Sequence, residues 1–259
     1  MGNAEDVRAT ADDRTSHAQK TRADRSSRRR LAWLLRAAAK SFIIVFAATF
    51  LSVLILKWVD PPTSSFMLQK TLGELFSSTS DTIHYQWVDY ADISAHAKMA
   101  VVAAEDQNFP NHWGFDFEAI GHAWNERKKG GRLRGASTIS QQVAKNLFLW
   151  SGRSYLRKAL EAYFTLLIEL TWSKQRILEV YLNLAQTGEK TFGMGAASEV
   201  YFDVPASRLN RQQATLIAAV LPNPGKYSVV KPSRYVRYRQ RWILKQMSQL
   251  GGSSYLAGL

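Results

Sequence analysis

Residues 41–56 (SFIIVFAATFLSVLIL) form an unbroken apolar run with no charge and only small polar residues. Nothing else in the chain limits its fold so strongly. With residues 37–39 on one side and Trp58 and Val59 on the other, the run reaches the ~20 residues a bilayer-spanning helix requires. Lys40 and Lys57 stand at its ends, where long ammonium side chains can snorkel to headgroups. Trp33 and Trp58 stand where interfacial aromatics belong. A buried core helix is the alternative, but no soluble context precedes the run. A cleaved signal peptide needs a small-residue cleavage site after the run. The chain instead continues Lys57-Trp58-Val59-Asp60-Pro61-Pro62. The expectation is an uncleaved signal anchor over residues 37–59.

Charge sets the orientation. Residues 1–40 carry ten Lys and Arg against five Asp and Glu, and Arg28, Arg29, Arg30, Arg36 and Lys40 cluster just before the run. The positive-inside bias puts a basic tail, residues 1–36, in the cytoplasm and residues 60–259 outside. The expected location is the inner (plasma) membrane, crossed once, with a periplasmic or extracytoplasmic domain. The polar residues 1–30 read as disordered. Residues 41–259 hold 24 Lys and Arg against 16 Asp and Glu. A basic outer domain suits anionic lipid or a phosphate-bearing substrate. Nucleic acid is the competing reading of a pI near 10.0. The anchor and the lack of any recognised binding motif argue against it. The absence of cysteine excludes disulfides and thiolate metal sites.

The residues after the anchor are enough for one domain with a substantial core. Helical periodicity dominates them. Residues 93–104 read as a helix with Asp92 as N-cap, and residues 118–128 as another capped by Asp116. Thr138 with Gln141 forms a capping box, followed by Ile139, Val143 and Leu147 at four-residue spacing. Residues 155–170 are apolar almost all round and predict a buried central helix. Ser173 caps residues 174–184, whose Ile177, Leu178, Tyr181 and Leu182 share a face. Residues 212–220 predict a short helix ended by Pro222 and Pro224, and residues 234–250 a basic, aromatic amphipathic helix. Residues 83–88 read weakly as a strand. The domain is expected to be mainly α.

Two carboxylates stand in apolar surroundings. Glu105 ends the run Val101-Val102-Ala103-Ala104, where burial would raise its pKa into the range of a general acid or base. A helix-terminal carboxylate bonded to nearby backbone is the plainer alternative. Glu161 lies inside the most apolar helix, four residues after Arg157 and three after Lys158. An intrahelical salt bridge accounts for it equally simply, but Leu160, Phe164 and Leu167 beside it argue for burial. Gln141, Gln142, Lys145 and Asn146 form a polar strip without acids, and Arg153, Arg157 and Lys158 come after it. Cations without neutralising acids suit a diphosphate; ordinary surface charge is the alternative. His112 and Asp116 could be metal ligands, but no second histidine stands at ligand spacing. Hydrogen bonds holding the Glu105 loop are the better role for both.

Five blocks in order resemble the peptidoglycan glycosyltransferases (glycosyltransferase family 51). They are residues 105–116 (EDQNFPNHWGFD), residues 135–146 (GASTISQQVAKN), Arg157-Lys158 with Glu161, residues 174–183 (KQRILEVYLN), and Gly195-Ala196-Ala197 followed by Tyr201-Phe202. Leu221-Pro222-Asn223-Pro224 also looks like a family feature. The match covers roughly residues 85–230. With one membrane helix and no room for a transpeptidase domain, the chain is similar to the monofunctional biosynthetic transglycosylases. Ala136, often glycine in the family, and Ala185-Gln186-Thr187 depart from the pattern and put the local groove shape in question.

The resemblance implies a mainly α, lysozyme-like fold with two lobes, the small lobe touching the membrane. It implies polymerisation of lipid II onto a growing glycan strand, with Glu105 as the base and Glu161 as the second acid. Lys145 and Arg153 would bind the donor diphosphate, with Arg157 and Lys158 nearby. Gln141, Gln142, Asn146 and Asn223 would contact sugar or phosphate, and Asp106 and His112 belong to the same site. No cofactor is required, although a divalent cation (Mg or Mn) could help neutralise diphosphate. Membrane lipid and other cell-wall synthesis proteins are the expected partners, and nucleic acid is not. The rivals are a membrane-bound lysozyme-like lytic enzyme and a non-catalytic lipid II-binding scaffold.

Overall fold

The computed structural model describes residues 32–75, 82–128, 137–152 and 154–259. The tail expected to be disordered lies outside the described residues, as do Gly135, Ala136 and Arg153. The chain forms two compact units, Met1–Ser52 and Val53–Leu259.

Helix α1 (Ala32–Ile55) is long and apolar enough to cross a membrane. It closes at Ile55, and a turn carries the chain on through Trp58. Its side chains from Phe42 to Val45 are exposed. Phe42, Phe46 and Phe50 stack down one face, with centroids 6.5 and 6.1 Å apart. Two hydroxyls in the run are satisfied within the helix: Thr49 Oγ1 donates to the Val45 carbonyl at 2.9 Å, and Ser52 Oγ to Ala48 at 2.8 Å. In hydrocarbon, where no water can take their place, such bonds are needed.

The second unit begins in the last turn of that helix. The Val53 carbonyl accepts the buried Trp172 indole N–H at 2.8 Å. The Arg176 guanidinium donates to the Leu56 carbonyl at 3.1 Å and to Val59 at 3.0 Å. It also pairs with Asp60 at 2.8 Å and Glu179 at 2.7 Å. Carbonyls at a helix C-terminus have no partner in their own helix, and an arginine satisfies both the orphan acceptors and their partial negative charge.

The remaining elements are α2 (Ser65–Leu75), β1 (His84–Tyr85), α3 (Ala95–Glu105), α4 (Phe117–Lys128), α5 (Ile139–Phe148), α6 (Tyr155–Thr171), α7 (Lys174–Leu184), β2 (Thr191–Phe192), α8 (Gly193–Phe202), α9 (Arg211–Val220) and α10 (Arg234–Gln249). The mainly α expectation holds. In one group α9 packs on α3 and α10; in the other α5 packs on α6 and α7. Helices α3 and α7 also touch, and α8 packs on α7. The core is continuous across both groups, from Val101 and Ile217 to Ile139, Ile168 and Leu182.

Two expectations need correction. Asp92 does not cap α3: it closes a short 3-10 turn, and the cap is Ser94, whose hydroxyl accepts the His96 N–H at 3.1 Å and donates to the Leu209 carbonyl at 2.7 Å. Ile93 is extended, so the helix starts later than its apolar period suggests. Helix α6 is not buried all round. Glu161, Phe164, Thr165, Leu167, Ile168 and Glu169 face the core, whereas Leu156, Leu166 and Leu170 are more than half exposed. Hydrophobicity alone does not distinguish a core-facing side from an apolar surface.

The strand expected at residues 83–88 shrinks to β1, paired in parallel with β2. Asn183, fully buried on α7, holds the chain just beyond β1. Its Oδ1 accepts the Val88 N–H at 2.8 Å and its Nδ2 donates to the Val88 carbonyl at 2.9 Å. Gly193 opens α8 at φ +80°, and a Cβ there would lie 2.4 Å from the Asn183 carbonyl. Only glycine fits both the positive φ and the close approach.

Candidate active site

Glu105 is the last residue of α3, and its side chain is 14% exposed. Each carboxylate oxygen has a donor. Arg239 Nη2 of α10 meets Oε1 at 3.0 Å, and Gln142 Nε2 of α5 meets Oε2 at 3.1 Å. Burial pushes the Glu105 pKa up, while Arg239, the Gln142 hydrogen bond and Lys145 oppose the rise. A raised folded value means that this carboxyl favours the fold below its unfolded pKa. That contribution is lost as pH rises through the folded pKa.

Lys145 stands one turn beyond Gln141 on α5, half-buried, with Nζ 5.5 Å from the Phe66 ring centroid. Burial lowers its pKa; Glu161 and Glu105 pull it back up, while Arg157 and Lys158 push it down. Glu161 is 3% exposed. Arg157 Nη1 reaches its Oε2 at 3.0 Å, and Lys158 Nζ contacts its Oε1. The intrahelical pairing read from the spacing is present, and so is the burial. The buried Nε of Arg157 has no acceptor among the described residues.

Asp106 and His112 are both buried and serve the loop after Glu105. His112 Nε2 lies 3.0 Å from Asp106 Oδ2, and the Gly114 N–H donates to His112 Nδ1 at 3.0 Å. His112 therefore carries its proton on Nε2 and donates it to Asp106. Asp106 Oδ2 also accepts the Ile139 N–H at 2.9 Å, tying the loop to the start of α5. Asp116, expected to share this task, instead caps α4 by accepting the Ala119 N–H at 2.8 Å.

The remaining candidates are spread more widely. Gln141 is buried, and its Oε1 accepts the Thr138 N–H at 3.0 Å, completing the capping box. Asn146 is half-buried on α5. Asn223 is exposed in the turn after α9, where its carbonyl accepts from Lys226 and Tyr227. Arg153 lies outside the described residues. A cleft of about 370 Å³ opens at Glu105, lined by Asp106, Asp116, His122, Thr138 and Trp242 among others. A larger one of about 500 Å³, between Gln86 and Ser198, holds none of the candidates. Among the described residues no group of three or more His, Cys, Asp or Glu is placed to hold a metal ion.

Sequence reasoning missed two participants. Arg239 comes three residues after Val236 and four before Ile243, so it falls on the buried stripe of α10. A cation on an apolar stripe was the available signal. Tyr181 was read as core, and it is buried, but its hydroxyl bonds Gln142 Oε1 at 3.1 Å.

Comparison with known proteins bears on the family. The family model described as Transglycosylase matches residues 71–248. A biosynthetic peptidoglycan transglycosylase of Pseudomonas entomophila (strain L48) is 52% identical over 229 residues, covering 88% of this chain and 97% of the relative. One from Pseudomonas putida (strain W619) gives the same figures. A third, from Pseudomonas syringae pv. syringae (strain B728a), is 51% identical over 226 residues, 87% of this chain and 96% of the relative. A family model matching residues 71–248 and relatives about half identical over most of their length show that the chain belongs to the transglycosylase family.

Proposed function

We propose that this chain polymerises lipid II into the β-1,4-linked glycan strands of peptidoglycan, with inversion at the anomeric carbon. The observation that carries this reading is the Glu105 carboxylate, held by one donor on each oxygen at the edge of a cleft. The donor sugar carries its diphosphate leaving group on the α face. The acceptor's 4-hydroxyl attacks the anomeric carbon from the other face, its oxygen forming the new glycosidic bond. Glu105 takes the hydroxyl proton, and the bond from the anomeric carbon to the diphosphate oxygen breaks with its electron pair. Lys145, Arg157 and Lys158 offset the charge that gathers on that oxygen, and the resemblance adds Arg153. Glu161 holds Arg157 and Lys158 in place. The donor set of a resident divalent cation is not assembled among the described residues, and no step is assigned to one.

A lytic enzyme of lysozyme type would need an acid to protonate the leaving oxygen and a water to attack. It has no use for a cluster of cations. Purified full-length protein supplied with labelled lipid II in detergent separates the readings. Polymer is the expected product. Fragmentation of added glycan without polymer would favour the lytic reading, and binding without turnover the scaffold.

We further propose that α1 anchors the enzyme with its N-terminus in the cytoplasm and its catalytic domain outside. The basic cluster before the apolar run supports this orientation. Exposed Trp113, Phe117 and Trp124, with Leu156, Leu166 and Leu170, support lipid contact by the domain itself. Protease added to spheroplasts should digest the chain beyond Asp60 and spare the tail. Protection of the whole chain would reverse the orientation.

A further inference from the structure

We infer that Arg239 and Tyr181 are positioning residues for the proton-accepting carboxylate. Arg239 grips one oxygen of Glu105, and Tyr181 fixes the amide of Gln142 that grips the other. The inference rests on the reading of Glu105 as the base.

Tyr181 matters because an amide is nearly symmetric. A glutamine side chain can present either its NH2 or its carbonyl to a neighbour, since the two ends have nearly the same shape. Only the NH2 end can donate to an ionised carboxylate. Gln142 Nε2 does so at 3.1 Å from Glu105, which leaves Oε1 to face the opposite way. There the Tyr181 hydroxyl donates to it at 3.1 Å. Tyr181 is 2% exposed, so water has little access to replace that donor. Its own ionisation is disfavoured by burial and by the charges of Glu105 and Asp106, so it stays a donor. Without the hydroxyl, Gln142 could turn over and set a carbonyl against the carboxylate, a contact that only protonated Glu105 would accept.

Arg239 matters because of where α3 ends. Glu105 sits where the carbonyls of that helix lose their partners and gather partial negative charge. A carboxylate is poorly placed there without a cation. Arg239 Nη2 donates to the Ala104 carbonyl at 3.2 Å as well as to Glu105 Oε1 at 3.0 Å, so one guanidinium holds both backbone and side chain. The guanidinium lies 6.0 Å from the Trp242 ring centroid, and Val236 and Ile243 pack its helix into the core. The groups acting on Glu105 are thus Arg239 from α10, Lys145 and Gln142 from α5, and Tyr181 from α7. One donor on each oxygen fixes the carboxylate plane, and the reaction needs that plane aimed at the acceptor hydroxyl.

The test is the pH dependence of kcat and KM for lipid II polymerisation by the full-length protein in detergent. The variants are Arg239→Gln, Arg239→Lys, Tyr181→Phe, Gln142→Ala and the Tyr181→Phe/Gln142→Ala double. Arg239 favours the ionised form of Glu105, so Arg239→Gln should move the acid limb of kcat upward by about one pH unit. Arg239→Lys should return the limb toward the parent while restoring kcat only in part, because an ammonium lacks the planar fork. Tyr181→Phe should lower kcat about tenfold with little change in KM, as misorientation of a catalytic group does. The double variant should be no worse than Gln142→Ala, because Tyr181 acts through Gln142. An unmoved acid limb in Arg239→Gln, or additive losses in the Tyr181 and Gln142 pair, would overturn the inference. If Arg239→Gln does not fold, a fully parental kcat in Arg239→Lys, or additive losses in the Tyr181 and Gln142 pair, does the same. A parent protein that makes no polymer would instead overturn the function, and this inference with it.

Discussion

Glu105→Gln is expected to fold as the parent does and to polymerise lipid II at least ~10²-fold more slowly, the usual loss when a general base is removed. The replacement keeps the side chain's volume and one oxygen for Arg239 to meet. It removes the charge and with it the capacity to take a proton, and the lost pairing with Arg239 is offset by the desolvation that a neutral side chain escapes. The thermal midpoint should therefore change little while turnover collapses, and lipid II binding should persist. The measurement is initial polymerisation rate beside a melting curve, at a pH above the acid limb. Near-normal polymer yield would remove Glu105 from the reaction and leave the cationic cluster without a base.

Glu161→Gln is the second large effect, and it divides differently. Glu161 is buried and pairs with Arg157 through one oxygen and Lys158 through the other. Lys158 is half exposed, so water replaces most of what it loses. Arg157, at 12% exposure, cannot recover in that way. Breaking a buried pair by neutralising one partner costs about 3 kcal/mol. In a domain of this size that lowers the melting temperature by roughly 6–12 °C. Polymerisation should fall as well, because the cations that meet the leaving diphosphate lose their fixed positions. A variant with parental stability would mean that the pair contributes nothing to the fold. Parental turnover would mean that Glu161 serves the fold alone.

The elements legible in the sequence were those whose signal is local. The Thr138–Gln141 capping box, the Ser173 cap of α7 and the Asp116 cap of α4 each depend on residues three or four apart, and each is formed. The long apolar helix α1 depends on one uninterrupted run. Elements made by tertiary contact were not legible. Strand β2 has two residues and exists because β1 lies beside it. Helix α8 opens Gly-Met-Gly, a poor helix start, yet forms because the glycines admit the Asn183 carbonyl and the Gln86 backbone. Ser94 and Asp92 could not be ranked as caps without Leu209, which is 115 residues from Ser94 in the chain.

The site divides along the same line. Glu105, Glu161 and Lys145 were legible because each is a charge in apolar company or an acid-free strip. Arg239 is 134 residues from Glu105, and only the packing of α10 on α3 brings them together. Gln142 was read as a substrate contact from its place on the polar strip. In the structure both ends of its amide are already engaged, one with Glu105 and one with Tyr181. Arg239 had a faint signal in its apolar stripe, whereas the hydroxyl of Tyr181 had none, since tyrosine in a core is ordinary.

The seam between Val53 and Asp60 has a practical consequence. Hydropathy invites a cut near residue 60 to obtain a soluble enzyme. Such a cut would strip Trp172 of the acceptor for its indole N–H and Arg176 of the Leu56 and Val59 carbonyls. The shortened protein would have to hydrate a buried indole and a half-freed guanidinium, and α7 would lose part of its footing. Measured on that fragment, a weak enzyme would report the injury of the cut and not the chemistry of the site. The last turn of α1 is best counted as the first turn of the enzyme.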